Sequence, residues 1–175
     1  MLNLLKRDLK RYSKVFKPFP IIRTILFEHS FHLVFFFRLG FFFRTIPIIG
    51  SFLGIITEYF IRIFFASDIS CRAKIGGGLF IVHGHDIVIG SKVKIGENCK
   101  IFNGVTLGGK YTEIEDAPQP SVGNNIILST GAKILGDIFI GDNSVVGANS
   151  VVLTSVEPNS VVVGIPARYV KKDVQ

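Results

Sequence analysis

SVGNNIILSTGAKILGDIFIGDNSVVGANSVVLTSV, residues 121–156, is the stretch whose reading decides the fold. An aliphatic residue returns at every sixth position: Val122, Leu128, Ile134, Ile140, Val146, Val152. Four residues after each stands a small or aliphatic side chain, namely Ile126, Ala132, Ile138, Ser144, Ser150 and Val156. Neither the helical period of 3.6 nor strand alternation produces a repeat of six. A short strand followed by a tight corner does, when three such units close one triangular coil. The period therefore predicts a mainly β solenoid whose inward aliphatics stack in ladders along its axis.

The pattern extends backwards through Ile89, Ile95, Ile101 and Leu107, and further through Ile69, Ile75, Ile81 and Ile87, with a two-residue slip at Ile87-Val88. Residues 110–121, rich in Pro and acidic or amide side chains, break the period and predict an excursion projecting from the coils. VVVGIPARYVKK, residues 161–172, is expected to close the solenoid. Cys71 and Cys99 fall inside the repeat without metal-type spacing, and Cys99 takes a small corner position, which predicts packing rather than reactivity.

Composition divides the chain in two near Ala66–Asp68. Residues 1–66 hold ten Lys or Arg against three acidic residues, which accounts for the whole net charge of +7, and fourteen of the seventeen Phe. Lys6, Arg7, Lys10, Arg11, Lys14 and Lys17 alternate with Leu2, Leu5, Leu9, Tyr12 and Phe16, predicting a basic amphipathic helix ended by Pro18 and Pro20. Residues 31–65 are too apolar for an ordinary exposed helix. Their longest uncharged run, Thr45–Thr57, is thirteen residues, short of the ~20 that a bilayer span needs. A longer span would carry Arg38 or Arg44 at about 2.5–3.5 kcal/mol each. Pro47, Gly50 and Gly54 also interrupt it. The expectation is helical pieces lying in one leaflet with arginines snorkelling to headgroups, or else a phenylalanine-rich contact with another subunit. Basic residues interleaved with bulk apolar surface argue against nucleic acid. No cleavable signal-peptide pattern is evident, so the expected location is cytoplasmic, peripheral on the cytoplasmic face of the membrane.

The segments Asp68-Ile-Ser-Cys-Arg-Ala-Lys-Ile-Gly, His83-Gly-His-Asp-Ile-Val-Ile-Gly, Val105-Thr-Leu-Gly-Gly, Gly131-Ala-Lys-Ile-Leu-Gly-Asp and Gly164-Ile-Pro-Ala-Arg together resemble the hexapeptide-repeat acyltransferase family, in its serine O-acetyltransferase-like branch. The resemblance covers about residues 67–172. It implies a left-handed parallel β-helix, preceded here by an α-helical N-terminal extension over 1–66, and direct acetyl transfer from acetyl-CoA to a hydroxyl, with no metal. A hydroxyl needs a general base at neutral pH, and histidine suits that task. On matching positions the base is His83, with Asp68 holding its imidazole. His85 is a rival whose expected role is a substrate contact. Gly108 and Gly109 would pass the pantetheine arm, Ala132 and Ala148 would keep its groove open, and Lys133, Arg168 and Lys171 would meet the phosphates of CoA. A groove between solenoids implies a homotrimer. His29 and His32, among phenylalanines, read as structural.

The chain departs from this branch in three places. Only some 66 residues precede the repeat, where serine acetyltransferases carry a long helical domain. A family histidine that helps hold the amino-acid carboxylate falls at Gln119 when aligned on Pro120 and at Pro118 in an ungapped alignment, neither of them histidine, and Gln119 is the candidate acceptor contact. Val82 stands where an acidic residue precedes the base. These losses, with the membrane-leaning N-terminus, make a sugar hydroxyl of an envelope polysaccharide or lipid-linked precursor the expected acceptor. The alternatives are serine itself, as in cysteine biosynthesis, and a non-catalytic membrane-bound scaffold. A zinc enzyme of the γ-carbonic anhydrase kind needs three histidines on neighbouring coils, and these coils carry only His83 and His85.

Overall fold

A computed structural model describes residues 1–13, 18–111 and 117–170. Four helices come first: α1 (Leu2–Tyr12), α2 (Pro18–Phe27), α3 (His29–Phe43) and α4 (Gly50–Phe65). Short strands then wind into a three-faced parallel β-helix. The first face stacks β1 (Asp68–Ile69), β4 (Val88–Ile89), β7 (Thr106–Gly108), β10 (Lys133–Leu135) and β13 (Val151–Val152). The second stacks β2 (Lys74–Ile75), β5 (Lys94–Ile95), β8 (Ser121–Val122) and β11 (Phe139–Ile140). The third stacks β3 (Phe80–Val82), β6 (Lys100–Phe102), β9 (Ile127–Leu128), β12 (Val145–Val146) and β14 (Val161–Val163), and β15 (Arg168–Tyr169) folds back antiparallel on β14.

The hexads become three buried ladders. Ile69, Ile89, Leu107, Ile134 and Val152 line the first face from inside, Ile75, Ile95, Val122 and Ile140 the second, and Ile81, Ile101, Leu128, Val146 and Val162 the third. Corners demand left-handed backbone, which asparagine tolerates. Asn98, Asn125, Asn143 and Asn159 supply it at φ of 57–60°. Asn125 donates to Asn143 Oδ1 and Asn143 to Asn159 Oδ1, each at 3.1 Å, so the corner is itself a hydrogen-bonded ladder. Both thiols are buried. Burial pushes Cys71 up to about 12 and Cys99 up to about 11, and Cys99 packs at its corner as the hexad position predicts.

One register assignment changes. Ile87 is not a ladder residue: it fills the corner position that Val93, Cys99 and Val105 fill elsewhere, and Ile89 takes the ladder. The step from Ile69 to Ile89 is therefore twenty residues where Ile89 to Leu107 is eighteen. The two extra residues are spent between Val82 and Ile87, within His83–Asp86, rather than at Ile87-Val88.

The helices close the open end of this solenoid. A first coil has no neighbour below it, so its downward backbone groups need other partners. Helix side chains provide them. Asp8 accepts Leu79 N–H at 2.8 Å, Glu58 accepts Cys71 N–H at 2.6 Å, and Arg38 donates to Ile75 O and Gly76 O at 2.6 Å each. Arg38 and Asp8 also pair with each other at 2.9 Å, essentially without exposure. This corrects the snorkelling expectation. Arg38 is a core residue, Arg44 is half-buried against Glu58, and α3 is sandwiched between α4 and the coils because its charges are satisfied there. Gly54 likewise sits inside an unbroken α4, where its missing side chain makes room for the Arg44 stem. Lys14 and Lys17 lie outside the described residues. His29 rests against Phe65 with ring centroids 4.6 Å apart, and the His32 ring bonds Ile25 O at 2.8 Å.

Among the described residues no single helix is long and apolar enough to cross a membrane, although α2 and α3, bent by 78°, pass by length and composition together. α4 is apolar on both sides. Gly50, Gly54, Thr57, Ile61 and Phe65 face the core, while Phe52, Ile55, Ile56, Tyr59 and Ile63 form an exposed stripe at helical spacing. Phe19, Ile22, Leu26 and Phe27 of α2 are exposed too.

Candidate active site

The long first corner carries the candidate base. His83 and Asp86 both take left-handed backbone, at φ of 57° and 56°, and His85 N–H donates to His83 O at 2.8 Å. His83 and His85 are exposed at the edge where the third face turns into the first. The segment Ala66–Asp68 packs against this corner. Asp86 N–H donates to Ala66 O at 2.9 Å, Asp68 N–H to Ile87 O at 2.8 Å, and Ile87 N–H to Ser67 Oγ at 3.2 Å. The backbone thus brings Asp68 beside the corner of His83, as the near-coil spacing predicts.

The side chains are arranged otherwise. Asp68 Oδ1 is taken by Arg62, from the last turn of α4, at 2.7 Å, and no hydrogen bond among the described residues joins Asp68 to either histidine. A guanidinium is a stronger partner for a carboxylate than a neutral imidazole. That bond raises the Arg62 guanidinium above its ordinary range. Arg62 carries no motif signal in the sequence: it stands six positions before Asp68 on an apolar helix, and the left-handed turn at Ala66 brings the two together.

Higher coils continue the same edge. Lys133 opens β10 there, but its ammonium donates to Gly104 O at 2.6 Å and Thr106 Oγ1 at 3.0 Å. It ties coils together instead of standing free for a phosphate. Ala132 is fully buried and fills the interior, so it lines no groove. Ala148 is exposed at the corner of the next coil. Arg168, exposed, donates to Ala167 O at 2.9 Å and lies opposite Val163, four coils above Val82 and thus roughly 19 Å along the axis at the usual strand spacing. Lys171 lies outside the described residues.

Gly108, Gly109 and Gln119 occupy the other edge of the first face. A side chain at Gly108 would meet open space. Gln119 is no neighbour of His83 within the chain: its Oε1 accepts Lys92 N–H at 2.9 Å and it packs over Gly90. It acts as a strut where the excursion rejoins the coils, because Gly90 leaves no side chain in its way. No group of three His, Cys, Asp or Glu among the described residues is placed to hold a metal ion.

No family model matches the chain. A curated serine acetyltransferase of Staphylococcus aureus is 49% identical over 112 residues, 64% of this chain and 52% of that protein. The chain thus spans about half the length of the curated relatives it matches. Soybean serine acetyltransferase, solved in complex with serine, superimposes with a TM-score of 0.86 at 32% identity, over 96% of this chain and 68% of that one. Serine acetyltransferase of Brucella abortus, solved in complex with coenzyme A, gives a TM-score of 0.86 at 30% identity, over 97% and 67%. The likeness takes in the helices as well as the coils, and the chain belongs to the hexapeptide-repeat acyltransferases, in their serine acetyltransferase-like branch.

Proposed function

We propose that the chain transfers acetyl from acetyl-CoA to an acceptor hydroxyl, with His83 as general base and serine as the acceptor. The observation that carries this is the enlarged first corner, which spends two extra residues to expose His83 and His85 beside Asp68. The relatives' names support serine over the sugar expected from the sequence. In this reading the imidazole takes the hydroxyl proton while the oxygen attacks the thioester carbonyl. The tetrahedral intermediate then collapses, the C–S bond breaks, and the CoA thiolate recovers the proton from His83. Open space at Gly108 suits close passage of the pantetheine arm. That glycine and His83 stand on opposite edges of the first face, which supports a site completed by a second copy, as in a homotrimer.

A sugar acceptor remains the second reading, favoured by Gln119 and Val82. Gln119 is committed to Lys92, and Val82 offers no charge, so the amino-acid carboxylate and ammonium lack two expected partners. Incubation with acetyl-CoA and a panel of serine, nucleotide sugars and lipid-linked glycans, following thiol release, separates the two. Serine turnover above that of every sugar is expected. Turnover confined to a sugar reverses the assignment, and none with any acceptor leaves the scaffold reading.

We further propose that the exposed stripes of α2 and α4 rest on an anionic lipid surface. Their apolar side chains sit in the region that carries the chain's entire net charge of +7, with Lys6, Lys10, Arg11 and Arg23 exposed. Anionic headgroups would contribute roughly 1 kcal/mol for each nearby cation. The expected result is flotation with phosphatidylglycerol-containing vesicles but not with pure phosphatidylcholine, weakening with salt and with Ile55→Asp. Concentration-dependent self-association without vesicle binding would assign the stripes to a subunit contact.

A further inference from the structure

Two of the helix side chains that satisfy the first coil lie on either side of His83. The Tyr12 hydroxyl accepts Ile81 N–H at 2.8 Å and stands 3.1 Å from Ile81 O and 3.3 Å from Ser30 O, each within reach of its proton. Burial holds that phenol well above its ordinary range, so it remains a donor at any working pH. Its ring meets Phe80 and Phe31 edge-on at 4.7 and 5.5 Å. Ser30, in the first turn of α3 and only 5% exposed, accepts Gly84 N–H at 3.0 Å. The helix presses close there: a side chain at Gly84 would come 3.1 Å from Leu33 Cδ2 and 3.3 Å from Ser30 Cα.

The corner is thus held two residues before His83 and one residue after it. In higher coils such amides bond to the coil below. Here there is none, because β3 is the last strand of its sheet. An enlarged corner with two left-handed residues has more ways to move than a regular one, and its histidine is exposed. We infer that Tyr12 and Ser30 are positioning residues for His83: their hydroxyls fix the backbone of the enlarged corner and so the place of the imidazole. This rests on His83 being the base. A misplaced base loses rate while the binding of acetyl-CoA along the higher coils is untouched.

Ser30→Ala and Tyr12→Phe keep the packing and each remove one acceptor from a buried amide. Each is expected to lower kcat on the order of tenfold with KM for acetyl-CoA unchanged. Amide exchange over residues 81–85 should quicken, and Ser30→Thr, which restores the hydroxyl, should recover most of the rate. Wild-type turnover by Ser30→Ala and Tyr12→Phe beside an inactive His83→Asn overturns the positioning role alone. A loss shared equally by kcat, KM and global unfolding, with no recovery in Ser30→Thr, overturns it as well. Wild-type turnover by His83→Asn overturns the base assignment together with the role built on it, and the exchange rates still report whether the hydroxyls hold the corner.

Discussion

His83→Asn is expected to lower kcat by about 10²–10⁴-fold, the range a general base contributes, with the KM for acetyl-CoA and the unfolding midpoint little changed. Asparagine is the informative replacement. The residue sits at φ 57°, a conformation asparagine adopts readily and alanine does not, so the backbone of the corner is preserved while the proton acceptor is lost. His83 is exposed, and among the described residues no hydrogen bond ties its side chain to the fold, so stability has little to lose. His85→Asn should cost much less in kcat and act on the acceptor's KM. The comparison is single-turnover and steady-state rate with acetyl-CoA and the best acceptor. Undiminished kcat in His83→Asn with a collapse in His85→Asn would exchange the two roles.

Arg38→Met should destabilise the protein by about 3–5 kcal/mol, the cost of breaking a buried ion pair from one side. Three losses coincide. Asp8 is left as an unpaired charge with no exposure, and Ile75 O and Gly76 O lose their donor. At roughly 2–4 °C per kcal/mol for a chain of this size, the midpoint falls by roughly 6–20 °C. Adding Asp8→Asn should recover part of the loss, since the stranded charge is gone. Arg7→Ala, which breaks the exposed pair with Glu97, should leave the midpoint nearly where it is. Equal shifts from Arg38→Met and Arg7→Ala in thermal unfolding would show that the helices do not cap the coils through this pair.

Both results test the end of the solenoid, which is where sequence reading was weakest. The coils were legible because each inward residue meets its own kind one coil away, so the rule repeats locally. From it came the three ladders and the buried corner of Cys99, while of the excursion expected over 110–121 residues 112–116 lie outside the described residues. The first coil breaks that rule. Its partners are Asp8, Tyr12, Ser30, Arg38 and Glu58, up to 71 residues away in sequence, and no period announces them. Tyr12 read as part of an apolar face and Arg38 as a headgroup cation for that reason. The site divides the same way. His83, His85 and Asp68 were picked out by the family resemblance, and the near-coil spacing of Asp68 and His83 let them meet, whereas the capture of Asp68 by Arg62 and of Lys133 by Gly104 are choices between side chains made in three dimensions.

The amino-acid sequence by itself determined the six-residue period and the parallel β-helix, because both depend on residues in fixed local register, and the motifs carried on those coils supplied the resemblance that names His83 as candidate base. Only the tertiary structure decided that the apolar helices cap the coils through buried polar side chains, that the two surplus residues lie at His83–Asp86, that Lys133 bonds Gly104 O, that Ala132 is buried and that Gln119 accepts from Lys92 N–H. The physical reason is that an unmatched backbone amide or charge at the end of a repeat must find a partner, and any residue that folding brings within reach can supply it.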